Sequence, residues 1–352
     1  MPSAADWVGS LSPWPEEFGL GRMRMLLDAL GDPHRRFPSV HVVGTNGKST
    51  ATRTVEEHLA SVGLAVGAYL SPHVRGWSER IRVGGREADF EQAVERVRAA
   101  AVAVGATQFE VLTAAAFAEF AAADVDAAVI EAGLGGRHDA TNVIDAPVVL
   151  LTNVALDHTD VLGQTRDEIA REKLAVVTHD AIAVLPDGEF GELVPPTAQV
   201  IFGGAREAAG AFLGAGVEGD VSVELPGRLE RRSESEIWDG GHNPDGLDWA
   251  LPQLPPGRYT VVASILREKD VDGMLERLAR VGDRLVATAS SNPRALAADE
   301  LAERARPWFA EVETVEDPEA AVERARRDPP VLVTGSLYLL TDLAAREEQG
   351  VE

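Results

Sequence analysis

The chain has 352 residues, 45% of them hydrophobic and 26% charged, with a formal net charge of −24. That length exceeds one ordinary core and predicts two domains, while the acidity argues against a broad basic face for nucleic acid, which needs clustered Lys and Arg. With no cysteine there can be neither a disulfide nor a thiolate metal site. MPSAADWVGSLSPWPEEF carries acidic residues and no apolar core, so it is not expected to be a signal peptide. No run approaches the ~18–20 apolar residues of a membrane span. The expectation is a cytoplasmic protein with no membrane partner.

In chain order, PSVHVVG reads as a buried strand and KSTATRTVEEHLASVG as a helix ending on Gly63. AVGAYLSPH follows as a second strand. FEQAVERVRAAAVAVG and FEVLTAAAFAEFAAA are helical by their apolar spacing, DAAVIEAGLGG is a strand running into a glycine turn, and PVVLLTNVALDH is another continuous apolar run with a polar end. Buried runs alternating with helices predict a mostly parallel α/β sheet covered on both faces. From about 185 to 225 the texture changes: PDGEFGELVPP reads as a loop, AREAAGAFLGAG as a short helix at best, and VEGDVSVELPGRL as a loop or edge strand. A second α/β rhythm then begins with SEIWDGG, RYTVVASIL, DRLVATAS and PPVLVTGS, which places the domain boundary near residue 230, giving domains 1–229 and 230–352.

The basic residues are biased. Of 33 Lys and Arg, all are arginine except Lys48, Lys173 and Lys269. A lysine kept against such a bias marks a place where a compact ammonium or a deprotonatable amine is needed, which a permanently charged guanidinium cannot supply. Lys48 lies in GTNGKST, between a strand and a helix. A glycine-rich turn there aims backbone N–H groups at an anion. Gly44, Thr45, Asn46 and Gly47 would cradle phosphates, Lys48 would reach the β- and γ-phosphates, and the hydroxyl of Ser49 or Thr50 could hold Mg²⁺. The spacing is shorter than the common G-x-x-x-x-G-K-[ST]. The competing reading is a plain strand–helix turn, which leaves the order of strand, glycines, lysine and hydroxyls unexplained.

GTNGKST resembles the P-loop of the Mur ligase superfamily, in its folylpolyglutamate synthase/dihydrofolate synthase branch. YLSPHVRGWSERIRV, FEVLTAAAF, EAGLGGRHDATNV, LDHTDVLG, IAREK, LPGRL, DGGHNP and VLVTGSLYL are similar to that branch, in its order. The resemblance implies a P-loop ATPase domain followed by a smaller Rossmann-like domain, with the active site in the cleft between them. It implies a monomeric ATP-dependent ligase that activates a pterin acid or folate as an acyl phosphate and joins it to L-glutamate. It also implies that Ser49, Glu131 and His158 bind Mg²⁺, and that Lys173, carbamylated by CO₂, holds a second. On the residues alone, His158 reads first as a capping or hydrogen-bonding histidine; Lys173 could be an i,i+4 helix partner, a reading that the lysine bias weakens. Arg228 in LPGR, and Asp239 and His242 in DGGHNP, match positions that grip ATP from the second domain. His73 in SPH and Phe109 in FEVLT match a loop and a strand end on the pterin side, although Phe109 reads equally as core. Lys269 in REKDVDGML reads either as an ion-pair partner or as a substrate-facing cation.

Two departures from the family stand out. The family's usual Ala-Gly-Ile after the lysine of IAREK is here Leu174-Ala175-Val176, and the stretch between Lys173 and Pro226 is several dozen residues shorter than usual. The missing part includes an asparagine that contacts nucleotide; no asparagine stands between Asn153 and Asn243. Two other readings therefore stay open: a related ligase with a different acid substrate, and a degenerate relative that binds nucleotide without catalysis.

Overall fold

The computed structural model describes residues 2–15 and 19–349, and the chain forms two compact units. The first comprises residues up to His73 and Trp77–Val223; the second comprises Val74–Gly76 and Glu224 onward. LPGRL thus belongs to the second unit, ahead of the boundary placed near residue 230.

In the first unit the strands are β1 (Ser39–Val43), β2 (Val66–Tyr69), β3 (Ile81–Val83), β4 (Arg86–Glu87), β5 (Ala127–Glu131), β6 (Val148–Leu151), β7 (Ile182–Leu185) and β8 (Gln199–Phe202). They form one sheet in the order β4-β3-β2-β5-β1-β6-β7-β8, parallel from β2 through β8, with β3 and β4 antiparallel at one edge. β1 is central and buried along its whole length, as its apolar run requires. Val40 and Val42 face a core shared with Val55 and Leu59 of the helix Lys48–Ser61 and with Ala208 and Ala209 of the helix Ala205–Leu213. The opposite face is covered by the helices Phe90–Val104 and Gln108–Ala122. The short helix expected after residue 205 is therefore a full structural element, covering the sheet where the chain is shortened.

In the second unit the strands are β9 (Glu230–Ser233), β10 (Glu236–Trp238), β11 (Thr260–Ala263), β12 (Arg284–Ala287), β13 (Glu311–Thr314) and β14 (Val331–Thr334), ordered β13-β12-β11-β14-β10-β9. All pairings are parallel except that of β9 with β10. The order reverses at β11, whose neighbours lead outward on both sides. This is the doubly wound arrangement, in which ligand sites form past the carboxyl ends of the strands. No helix of the described residues is long and apolar enough to cross a membrane.

Candidate active site

β1 ends in the glycine turn, and the helix Lys48–Ser61 starts immediately after Gly47. Gly44 sits at φ +150°, and a Cβ there would lie 1.9 Å from Thr152 Oγ1; no side chain fits. Gly47 at φ +77° has open space where a Cβ would stand, so the loop keeps an uncrowded face. Asn153, which sequence reading passed over, braces the loop: its carbonyl accepts the Thr45 N–H at 3.1 Å and its side-chain oxygen the Asn46 N–H at 2.8 Å. Lys48 Nζ folds back to donate to the Gly44 and Thr45 carbonyls, each at 3.2 Å. A helix leaves its first N–H groups without acceptors of its own, so this end is suited to an anion.

Ser49 Oγ donates to Glu131 Oε1 at 3.0 Å, joining the first turn of this helix to the end of β5. Glu131 is almost wholly buried. Its other oxygen accepts the N–H of Ser71 at 3.1 Å, a contact between distant loops that no local pattern announces. His158, just beyond β6, stands at φ +50° before the short helix Thr159–Leu162, with its imidazole partly exposed beside Asp157. A backbone held in the left-handed region at a non-glycine residue is costly and recurs at functional sites.

Lys173 is 3% exposed. Thr165 and Glu168 cap the start of its helix, Arg166–Leu174, with reciprocal bonds, and Ile169, Ala170, Lys173 and Leu174 form its buried face. The lysine thus occupies a core position. Its Nζ donates to the Gly44 carbonyl at 2.8 Å. Burial first, then the nearby Lys48 ammonium, lowers its pKa to about 7, against the opposing pull of Asp157, Asp139 and Glu172. An amine with that pKa is a nucleophile at neutral pH; a guanidinium is not.

Phe109 lies in the first turn of the helix Gln108–Ala122 rather than at a strand end. The ring lies over Gly133, where a Cβ would approach Phe109 Cζ to 2.5 Å. It lines a cavity of about 160 Å³ with Trp14, Leu134, His138, Asp139 and Glu172. His73 is not among that cavity's lining residues. Its Nδ1 accepts from Arg80 Nε at 2.9 Å, and its ring lies 4.4 Å from that of Trp77. Burial, with Arg80 adding to it, lowers its pKa to about 3.

The second unit gathers its own predicted residues at the end of β10. Asp239, buried there, accepts the N–H groups of Leu229 and Gly241, each at 2.9 Å, and burial raises its pKa. The LPGR turn and the DGG turn are joined by Gly240 N–H to the Gly227 carbonyl at 2.8 Å. Arg228 Nη1 donates to the Gly227 carbonyl, and His242 Nδ1 lies 3.1 Å from the Gly240 carbonyl. Arg228, Asp239 and His242 therefore form one local cluster. Lys269 stands in the turn before the helix Val271–Leu278.

The profile of the Mur ligase middle domain matches residues 42–194 and that of the Mur ligase glutamate ligase domain matches residues 227–337. The chain belongs to the Mur ligase family. It is 34% identical to the dihydrofolate synthase/folylpolyglutamate synthase of Mycobacterium tuberculosis, over 82% of this chain and 78% of that one. That alignment runs over 381 positions, more than the chain's own length, so the relative carries residues with no counterpart here. Escherichia coli FolC in complex with DHPP and ADP superposes with a TM-score of 0.89 at 27% identity, covering 100% of this chain and 99% of that one. The Yersinia pestis folylpolyglutamate synthase/dihydrofolate synthase with Mn, AMPPNP and L-glutamate bound gives a TM-score of 0.85 at 28% identity, covering 99% and 98%.

The buried histidines of this Mur ligase predict an acid response. His41, on β1, is held neutral by burial alone, with a pKa of about 3. An unfolded histidine takes its proton near pH 6.5, so between pH 6.5 and 3 the unfolded chain binds more protons and stability falls as pH falls. Thermal melts should show a falling midpoint across that window, with a shallower slope in His41→Phe. Equal slopes would contradict a neutral His41.

Proposed function

We propose that this chain is an ATP-dependent ligase that joins L-glutamate to a pterin acid, dihydropteroate or a tetrahydrofolate, as a monomer in the cytoplasm. The observation that carries the reading is the convergence of Lys48, Lys173 and the Ser49–Glu131 pair on one glycine turn. The acid's carboxylate oxygen attacks the γ-phosphorus of ATP and ADP departs, leaving an acyl phosphate. The glutamate amine then adds to the acyl carbon, inorganic phosphate leaves, and the amide forms with loss of a proton. Negative charge accumulates on the transferred phosphoryl group, and fixed cations and N–H donors lower that barrier. In this reading Gly44 to Thr50 cradle the phosphates, Lys48 neutralises them, and Arg228, Asp239 and His242 contribute from the second unit.

The donor set fits Mg²⁺. Among the described residues no three His, Asp or Glu side chains cluster closely enough to hold a metal by themselves. Mg²⁺ is commonly bound by one or two carboxylates completed by substrate phosphates and water, and a hydroxyl on a buried carboxylate offers hard oxygen ligands of that kind. Ser49, Glu131 and His158 would hold it, and when bound it would screen the phosphate charge. Carbamylation would turn Lys173 from a buried cation into an anion able to hold a second ion. The cavity beside Phe109 would take the flat heterocycle of the acid, between aromatic faces; His73, the other residue matched to the pterin side, is not part of its lining.

Incubating the protein with ATP, Mg²⁺, L-glutamate and each pterin acid, and measuring ADP with amide product, tests this. ATP binding without turnover of any pterin acid would favour the nucleotide-binding non-enzyme. Turnover with another acid alone would favour a different ligase.

The short segment after Lys173 has its own consequence. Triphosphate contacts are kept, while base contacts carried by the missing segment are lost, each worth ~0.5–1.5 kcal/mol. ATP should bind weakly and compete poorly against GTP, because a base edge left without hydrogen bonds cannot reject the wrong base. A preference for ATP above about a hundredfold at saturating Mg²⁺ would require two or more intact base contacts and would overturn this expectation.

A further inference from the structure

His41 points away from the glycine turn's helix. Its register partners on the neighbouring strands are Ile130 and Val149, so a polar ring sits in an apolar layer. The loop after β5 folds back over this layer and brings Thr141 to His41, with Nε2 2.9 Å from Thr141 Oγ1. Thr141 spends its proton on Asp139 Oδ1, which also accepts the Thr141 N–H at 3.0 Å. The hydroxyl can then only accept from the ring, so His41 is the Nε2–H tautomer. Asp139 in turn receives the N–H of Leu134 at 2.8 Å. Three protein donors thus converge on its carboxylate, two from Thr141 and one from Leu134, which makes it an organiser of the loop.

That chain of bonds ends at Leu134 in the cavity wall, next in sequence to Gly133, the seat of the Phe109 ring. Farther along the loop, the Arg137 N–H donates to the Glu172 carbonyl at 3.0 Å, and Gly136 packs against the backbone of Lys173. We propose that His41 is a positioning residue for the acid substrate: through Thr141 and Asp139 it fixes the loop Gly133–Thr141 as the wall of the Phe109 cavity. This rests on the reading of that cavity as the acid's site. The middle of β1 thus sets the fit of the other substrate while its carboxyl end carries the glycine turn, so one strand orders both sites. A buried apolar residue would pack the layer equally well. A side-chain donor is needed here because the loop takes one fixed donor from the sheet, and the strand's own amides are used in pairing.

His41→Phe, which keeps the ring and removes the donor, should raise KM for dihydropteroate about tenfold, the worth of roughly one hydrogen bond, with KM for ATP unchanged. Thr141→Val should do the same, and the double variant should be no worse than either alone, because both cut one chain. His41→Gln, which restores a donor, should recover most of the loss. A lowered melting temperature with unchanged KM for dihydropteroate, or equal rises in KM for both substrates, would reduce His41 to a core residue. A second measurement is independent of turnover. In nitrogen-15 spectra the His41 ring should show a protonated Nε2, and His41→Phe should displace the amide resonances of Gly133 and Leu134. If the wild type turns over no pterin acid but these resonances move, the ligase reading fails and the brace stands. If they do not move, the brace fails whatever the activity.

Discussion

Lys48→Ala should remain folded and lose ATP-driven turnover by at least about 10²–10³-fold, the cost of removing one preorganised charge-stabilising group from a site of this kind. Lys48 Nζ rests on two carbonyls of its own turn, at Gly44 and Thr45. Those bonds hold the ammonium over the loop. Losing them should cost about 1 kcal/mol each at most, because the carbonyls can take up water. The fold should therefore survive while the phosphoryl group loses its cation. Lys173 does not replace it, since both amines meet at the Gly44 carbonyl and burial already disfavours charge on Lys173. Lys48→Arg should restore little activity: the planar fork cannot double back within three or four residues as the lysine stem does. ADP release at saturating ATP and a thermal melt are the two measurements. Wild-type turnover in the alanine variant would remove Lys48 from the reaction.

The features legible in the sequence were those with a short-range signature. β5 and β6 carry apolar runs, and β1 one broken only by His41, because both faces of the sheet are covered, and the glycine turn declares itself by order and spacing. The edge strands were not read. β8 and β13 mix polar with apolar residues, β9 is wholly polar, and all three are only partly buried, since an edge needs no continuous apolar run. The contacts that organise the site were hidden for a different reason. Ser71 to Glu131, Asn153 to the glycine turn, and His41 to Thr141 join residues far apart in the chain, and no local pattern says which loop will fold over which strand. A signal for His41 did exist: it is the one polar side chain between the ends of a strand that is otherwise valine. Arg228, Asp239 and His242 were each named from their own motifs, and their assembly into one cluster came from the pairing of two turns. Lys173 is intermediate: its i,i+4 spacing from Ile169 places it on the helix's apolar face, but only the fold shows that this face is sealed.

Lys173→Arg is the sharper test of the lysine bias. The amine has a pKa of about 7, so roughly half of it is unprotonated at neutral pH and able to add CO₂, giving a carbamate and releasing one proton. Arginine retains its charge under all such conditions. At this position it would put a larger, permanent cation beside Lys48 in a space closed by Gly136 and the glycine turn. The expected result is a folded but less stable protein with turnover reduced by about a thousandfold or more, as for loss of a group on which charge stabilisation depends. Wild-type activity should fall in buffer stripped of bicarbonate and return when bicarbonate is restored, whereas the arginine variant should respond to neither. Lys173→Ala leaves a cavity in which a small carboxylic acid can replace the carbamate anion, so added acetate or formate should recover part of its activity. Carbon-13 bicarbonate should give the wild type a carbamate resonance absent from both variants, a readout independent of turnover. The folding equilibrium carries a further mark. The unfolded lysine keeps its proton up to about pH 10.4, the folded one releases it near 7, and stability should therefore rise with pH through that interval. Replacing Lys173 by methionine, a neutral chain of similar reach, should flatten that rise. An active Lys173→Arg enzyme indifferent to bicarbonate would mean that the buried amine serves only to hold the Gly44 carbonyl.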